Sequence, residues 1–219
     1  MRHKVCKILV LVVALLISAV VASVEQTSLS TGQPQEYQLK AAFLFNFIRF
    51  VDWPNEKSTD TNEPIFIGVI GNDSFGDAFE PAKSKPVKGR RIVVERFKSF
   101  AELEKSGDKK RQQEEIETIR RCHLLFICSS EKDKAKDIIE SLKNSPVLTV
   151  GEAPGLLESG GIIRLLTEDK KVGFEINLYA AEQVKLRISS QLLRLAKRVI
   201  KESLVSMNGP KNENDTGTL

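Results

Sequence analysis

The chain has 219 residues, 41% of them hydrophobic, with 33 Lys or Arg against 29 Asp or Glu and a net charge of +4. Its 13 Gly, 8 Pro and 3 Cys exclude a collagen-like or low-complexity chain and a disulfide-dense miniprotein. A sequence pI near 8.9 makes nucleic-acid binding a question of where the positive charges sit.

Three of them open the chain. Arg2, Lys4 and Lys7 precede an apolar run at residues 8–22, broken only by Ser18, and Val20 and Ala22 suit a cut before Ser23. A basic start, a short apolar stretch and a small-residue exit describe a secretory signal peptide. Fifteen apolar residues also fall short of the roughly 20 that a membrane span needs, which disfavours an uncleaved anchor. Without residues 1–22 the chain carries 30 basic and 29 acidic residues, a net charge of +1, and bulk charge no longer argues for nucleic acid. The remainder divides into a polar, flexible lead-in at 23–35, a folded domain at 36–206 and a disordered tail at 207–219.

The first helix is expected over 36–51. Leu39, Ala42, Phe43, Phe45, Phe47, Ile48 and Phe50 make it apolar almost all round, so it should be buried. Pro54 ends it and pushes Trp53 out of helical geometry. Residues 64–71 form a β-branched run suited to a strand buried on both faces. Asn72, Asp73 and Ser74 offer caps for a helix near Phe75. Strands are expected at 91–97, 123–128 and 146–150, with helices at 99–105, 109–121 and 131–143. Strands at 162–166 and 172–178 form a hairpin with a loop of about five residues. Helix resumes at Tyr179, breaks at 186–190, and ends as a final helix over about 191–206. Together these elements define a single three-layer α/β domain, mainly parallel, with an antiparallel C-terminal hairpin and helices on both faces.

Chemistry is sparse. Gly71, Asn72, Asp73 and Ser74 lie where a strand meets a helix, but Gly68, Gly71 and Gly76 do not have dinucleotide-fingerprint spacing. They read as a tight turn, or as a small-ligand cleft at the carboxyl edge of the sheet. His123 sits beside Cys122, yet neighbours on a strand point to opposite faces, so it is read as structural and not as a base. One His and two Cys after residue 22 are too few for a zinc site, and no metal or cofactor is expected. Cys122 and Cys128, six apart on one strand, are about 20 Å apart and cannot bond each other. They remain redox candidates only through outside partners. Glu175 and Asn177 alternate with Phe174, Ile176 and Leu178 and should share an outward face. No second acid converges there for hydrolysis, and no catalytic residues are assigned. Arg187, Arg194, Lys197, Arg198 and Lys201 accompany Ile188, Leu192 and Leu193. They make a solvated basic helix face, a docking surface, or a membrane-surface helix, the last being the weakest reading.

Three blocks resemble a known family. Residues 37–47 (YQLKAAFLFNF) with Trp53-Pro54 look like its opening signature, residues 122–127 (CHLLFI) like its central strand, and Gly160-Gly161-Ile162-Ile163, residues 174–178 (FEINL) and 186–196 (LRISSQLLRLA) like its C-terminal block. The resemblance, over residues 36–199, is to the YfiR family of small periplasmic regulators. It implies a non-enzymatic protein that binds the periplasmic sensor region of an inner-membrane signalling protein, a diguanylate cyclase or else a sensor kinase, and represses cyclic di-GMP synthesis, which favours biofilm. Homodimers and cysteine-based redox responses occur in the family, but only Cys122 falls in a matching motif. On this reading Glu175, Asn177 and Arg187 supply polar contacts to the partner, and Ile188 and Leu192 apolar anchors. The alternative is a periplasmic small-solute sensor using the 71–74 cleft. Export predicts that protein recovered from the periplasm begins at Ser23. N-terminal sequencing that finds Met1 in the membrane fraction overturns that expectation.

Overall fold

A computed structural model of the protein describes residues 33–54, 63–80, 85–169 and 171–202. The export segment, residues 23–32 of the lead-in and the tail lie outside the described residues.

Helix α1 (Gln33–Phe50) begins earlier than the sequence suggests. It is not buried all round: Ala41, Leu44, Phe45, Phe47 and Ile48 are buried, whereas Leu39, Ala42, Asn46 and Arg49 face solvent. Beyond it the chain turns extended as β1 (Val51–Asp52), and Trp53 is buried outside the helix.

The main sheet contains β2 (Ile65–Ile70), β3 (Ile92–Phe97), β4 (Leu124–Ile127), β5 (Leu148–Gly151), β6 (Ile163–Glu168), β7 (Lys171–Asn177) and β9 (Arg198–Ile200). Their order is β3-β2-β4-β5-β6-β7-β9. The strands from β3 to β6 are parallel, β6 and β7 are antiparallel, and β7 and β9 are parallel again. The period-2 alternation divides the core between the faces. Ile65, Ile67, Val69, Leu124, Phe126, Leu148, Val150, Ile163, Leu165, Phe174 and Ile176 meet α1 on one side. Ile70, Leu125 and Ile127 meet helices α2 (Phe100–Lys105), α3 (Lys109–Arg120) and α4 (Ala135–Ser141) on the other. This is the expected three-layer α/β architecture with a mainly parallel sheet.

Several local expectations change. Residues 76–79 make turns and Glu80 is the first helical residue, later than the start near Phe75 that the sequence suggests, while the Asp73 carboxylate accepts from the Phe75 N–H (2.7 Å) in a local turn. Ser99 precedes α2 without a side-chain cap bond, and the buried Glu131 carboxylate accepts from Phe100 N–H instead (3.0 Å). Holding Glu131 there tightens residues 129–134 into a 3-10 turn before α4. The hairpin loop is two residues, not five, because Glu168 pairs directly with Lys171 and Asp169 takes a left-handed φ of 48°.

The C-terminus differs most. After α5 (Leu178–Gln183), β8 (Arg187–Ile188) pairs antiparallel with β1 in a two-stranded sheet. The expected long final helix is only α6 (Ser190–Leu195), followed by edge strand β9. Ala196 is extended (ψ 139°) and Lys197 N–H donates to Phe174 O at 2.8 Å, which commits the chain to pair with β7. β-branched Val199 and Ile200 suit that strand better than a solvated helix.

Phe47 is fully buried and packs edge-on to Phe174, ring centroids 5.1 Å apart. Phe47→Ala is expected to lower unfolding stability by about 3–5 kcal/mol, read from urea denaturation. A loss below 1 kcal/mol would place α1 outside the core.

Candidate functional site

β7 presents Phe174 and Ile176 to α1 and Glu175 and Asn177 to the opposite face, as the alternation requires. That face is not open at these two residues. Glu175 is only 9% exposed. Its carboxylate accepts from Arg198 Nε (2.9 Å) and Nη2 (3.2 Å) on β9 and pairs with Arg164 Nη2 (3.1 Å) on β6. Arg164, Glu175 and Arg198 are consecutive in the cross-strand register, so one acid holds two arginines across three strands. Bonding to Glu175 raises the Arg198 pKa above its ordinary value. Asn177 is buried as well. Its Oδ1 accepts from Ala180 N–H (2.9 Å), capping α5, and its Nδ2 donates to Leu157 O (3.1 Å). Both side chains therefore serve the fold, and the outward presentation expected of them is corrected.

The adjoining segment divides similarly. Leu192 is 2% exposed and belongs to the core, while Ile188 is half-buried against it. Arg187 stands out, its side chain 82% exposed and 3.5 Å from Asp52 on the paired strand. Leu195, 68% exposed at the end of α6, is the most exposed large hydrophobic among the described residues. The segment is anchored at Ser189, whose N–H donates to Phe50 O (2.9 Å) and whose Oγ accepts from Leu192 N–H (3.3 Å). The basic residues do not form one helix face. They are spread over β8, α6 and β9, with Lys197 on Glu168 (2.5 Å) and Arg198 on Glu175. Among the described residues no helix is long and apolar enough to cross a membrane.

Cys122 and Cys128 are free and buried. They do not share a face. β4 spans only 124–127, and Cys122, in the turn before it, packs with Leu125 in the second-face core, whereas Cys128 packs with Phe126 beneath α1. Burial pushes each thiol pKa up to about 12, so neither is a ready thiolate. His123 accepts at Nδ1 from Phe66 N–H (3.3 Å), sits 3.1 Å from Arg90 through Nε2 and meets the Trp53 ring edge-on.

The 71–74 turn lies at the carboxyl ends of β2 and β4, where the strand order reverses and α/β sheets commonly bind ligands. Here the chain's own side chains close against Gly71. Gly71 has φ +96°, and a Cβ there would meet Ser130 Oγ at 2.6 Å and Glu131 Cγ at 2.7 Å. Asn72 N–H donates to Ser130 Oγ (2.9 Å), and Asp73 pairs with Arg96 (2.5 Å). Ser74 is exposed beside them.

Lys40 is a further charged residue whose role the sequence pattern does not reveal. It is buried in α1 between Glu36 (2.6 Å) and Glu152, with the Tyr37 ring 4.4 Å from its ammonium. Burial alone would lower its pKa, but the bonds to Glu152 and Glu36 outweigh that and the net shift is upward. Glu36 is held below the ordinary carboxylate value, chiefly by Lys40. A lysine within an otherwise apolar helical run was the available signal. Among the described residues no group of three or more His, Cys, Asp or Glu is placed to hold a metal ion.

These features define a three-layer α/β protein whose buried charges are paired. Residues 37–197 match the family model described as YfiR/HmsC-like, and the chain belongs to that family. The family is one of periplasmic regulators. No curated protein matches the chain. Similar solved structures include a conserved domain protein from Vibrio cholerae, 13% identical, with a TM-score of 0.50 over 74% of this chain. Another is the ABC domain of Streptococcus pneumonia in complex with L-Trp, 13% identical, with a TM-score of 0.51 over 73% of this chain. The chain spans 60% of the length of each, and the likeness is one of fold.

Glu175→Ala leaves Arg164 and Arg198 without their shared acid. The expected loss is about 2–3 kcal/mol, less than for a fully buried pair because Arg198 is 46% exposed. Thermal unfolding that matches the parent would show that the three-strand ladder contributes nothing.

Proposed function

We propose that this chain is a non-enzymatic periplasmic regulator. It docks on the periplasmic sensor region of an inner-membrane diguanylate cyclase and holds cyclic di-GMP synthesis down. Family membership supports the class of protein and of target. One observation supports the surface: Leu195 and Arg187 are strongly exposed near the two ends of α6, on a segment pinned to α1 by Ser189. An exposed leucine and an exposed arginine on one anchored segment suit an interface, where apolar burial supplies affinity and the charge fixes orientation. In this reading Ile188 and Leu192 hold the segment in place from beneath, and Glu175 and Asn177 fix β7 and the start of α5.

Leu195→Asp and Arg187→Glu are each expected to weaken binding to the cyclase periplasmic domain at least about tenfold, with Tm moving by less than about 2 °C, because neither side chain is part of the core. Calorimetric titration with the purified periplasmic domain reads the first and thermal denaturation the second. Unchanged affinity in both variants sinks the assignment of this surface. Binding to a sensor kinase domain instead, or loss of a homodimer in place of a complex, redirects the partner.

A further inference from the structure

On the face of the sheet away from α1, a cavity of about 240 Å³ opens between α4, the 157–160 loop and α5. Its walls are aliphatic, with Ile139, Leu142, Val147, Leu157, Ile162 and Val184 contributing. The polar side chains that reach it from the strands are already engaged. Thr149 Oγ1 accepts from Ile162 N–H (3.0 Å), and Asn177 is bonded at both ends of its amide. The rim carries one exposed charge of each sign, Lys143 and Glu158, and both have partners within the chain, Glu140 at 2.5 Å and Arg198 at 3.9 Å. Ser145, Tyr179 and Gln183 complete the lining, the last two exposed to solvent, so on its strand side the cavity has neither an unmet hydrogen-bonding demand nor a charge preference. The volume suffices for one substituted ring, since an apolar cavity of about 150 Å³ takes up benzene.

We propose that this cavity is a binding site for an uncharged, largely apolar small molecule, of the size of one substituted ring or a chain of equal volume. It is distinct from the 71–74 turn and from the docking surface, and does not depend on the function assigned to either. Apolar burial supplies the affinity, and a charged analogue is rejected because it would lose hydration and gain no partner. Ala180 and Val184 place α5 in the wall, and α5 leads into β8, so an occupant contacts the element that precedes Arg187.

The test is a titration of the purified protein, methyl-labelled at Ile, Leu and Val, with p-xylene and with benzoate as its charged counterpart. p-Xylene is expected to shift the methyl signals of Ile139, Leu142, Val147 and Ile162 and to give intermolecular contacts to them. At tenfold excess over its Kd it should raise Tm by about 3–6 °C. Benzoate should bind at least about tenfold more weakly. Ala180→Phe, which fills the cavity, should abolish the p-xylene shifts. If that variant does not fold, the intermolecular contacts in the parent protein decide. Methyl signals that stay still at saturating p-xylene overturn the proposal, as does undiminished binding by folded Ala180→Phe or equal affinity for benzoate.

Discussion

The packing of one helix across one sheet determines most of this molecule. Phe43, Phe47 and Phe174 form a cluster of edge-on and tilted rings, with Leu44 and Ile48 extending it along α1 and Val51 into β1. Burying each such side chain is worth about 1.5–3 kcal/mol, so α1 anchors the strands from β2 to β7. The sheet on its own could not hold these strands with both faces wet, because their side chains toward α1 are almost all apolar. Both ends of the helix are then fixed by different chemistry. At one end buried Lys40 ties it through Glu152 to the end of β5. At the other end β1 continues the chain into a two-stranded sheet with β8.

That second attachment brings the C-terminal segment under the control of the N-terminal helix. β8 does not join the main sheet. It pairs with β1, and Ser189 N–H bonds to Phe50 O at the last residue of α1. Arg187 and Leu195 are therefore set by the position of α1, and β9 returns to the main sheet immediately afterwards. A surface held between two sheets in this way loses little entropy when a partner covers it, which favours specific docking over loose adhesion.

The sequence revealed the parts of the fold that depend on local pattern. The β-branched runs at 64–71, 123–128 and 146–150 could only be buried strands, and their alternation with helices fixed the parallel sheet. It concealed the parts that depend on distant partners. Residues 191–206 have helical spacing, but Phe174 O and Glu175 recruit Lys197 and Arg198 into a strand. Glu175 and Asn177 were placed on the correct face, yet exposure could not be read from alternation because their partners lie 23 residues ahead and 20 behind. Leu192, a surface anchor on the helical pattern, is core, whereas Leu195, three residues on, is exposed. Helical periodicity identifies a face without saying which face the rest of the chain covers.

The distribution of polar chemistry follows from the same economy. Glu131 caps α2, Asn177 caps α5, Glu175 joins three strands and Lys40 joins α1 to β5, so the buried polar groups hold elements in place. Both described thiols are free, buried and strongly raised in pKa, and the fold stands without a covalent link between them. The exposed leucine and arginine are the groups with something to gain from a partner, and the aliphatic cavity has room for a small apolar one.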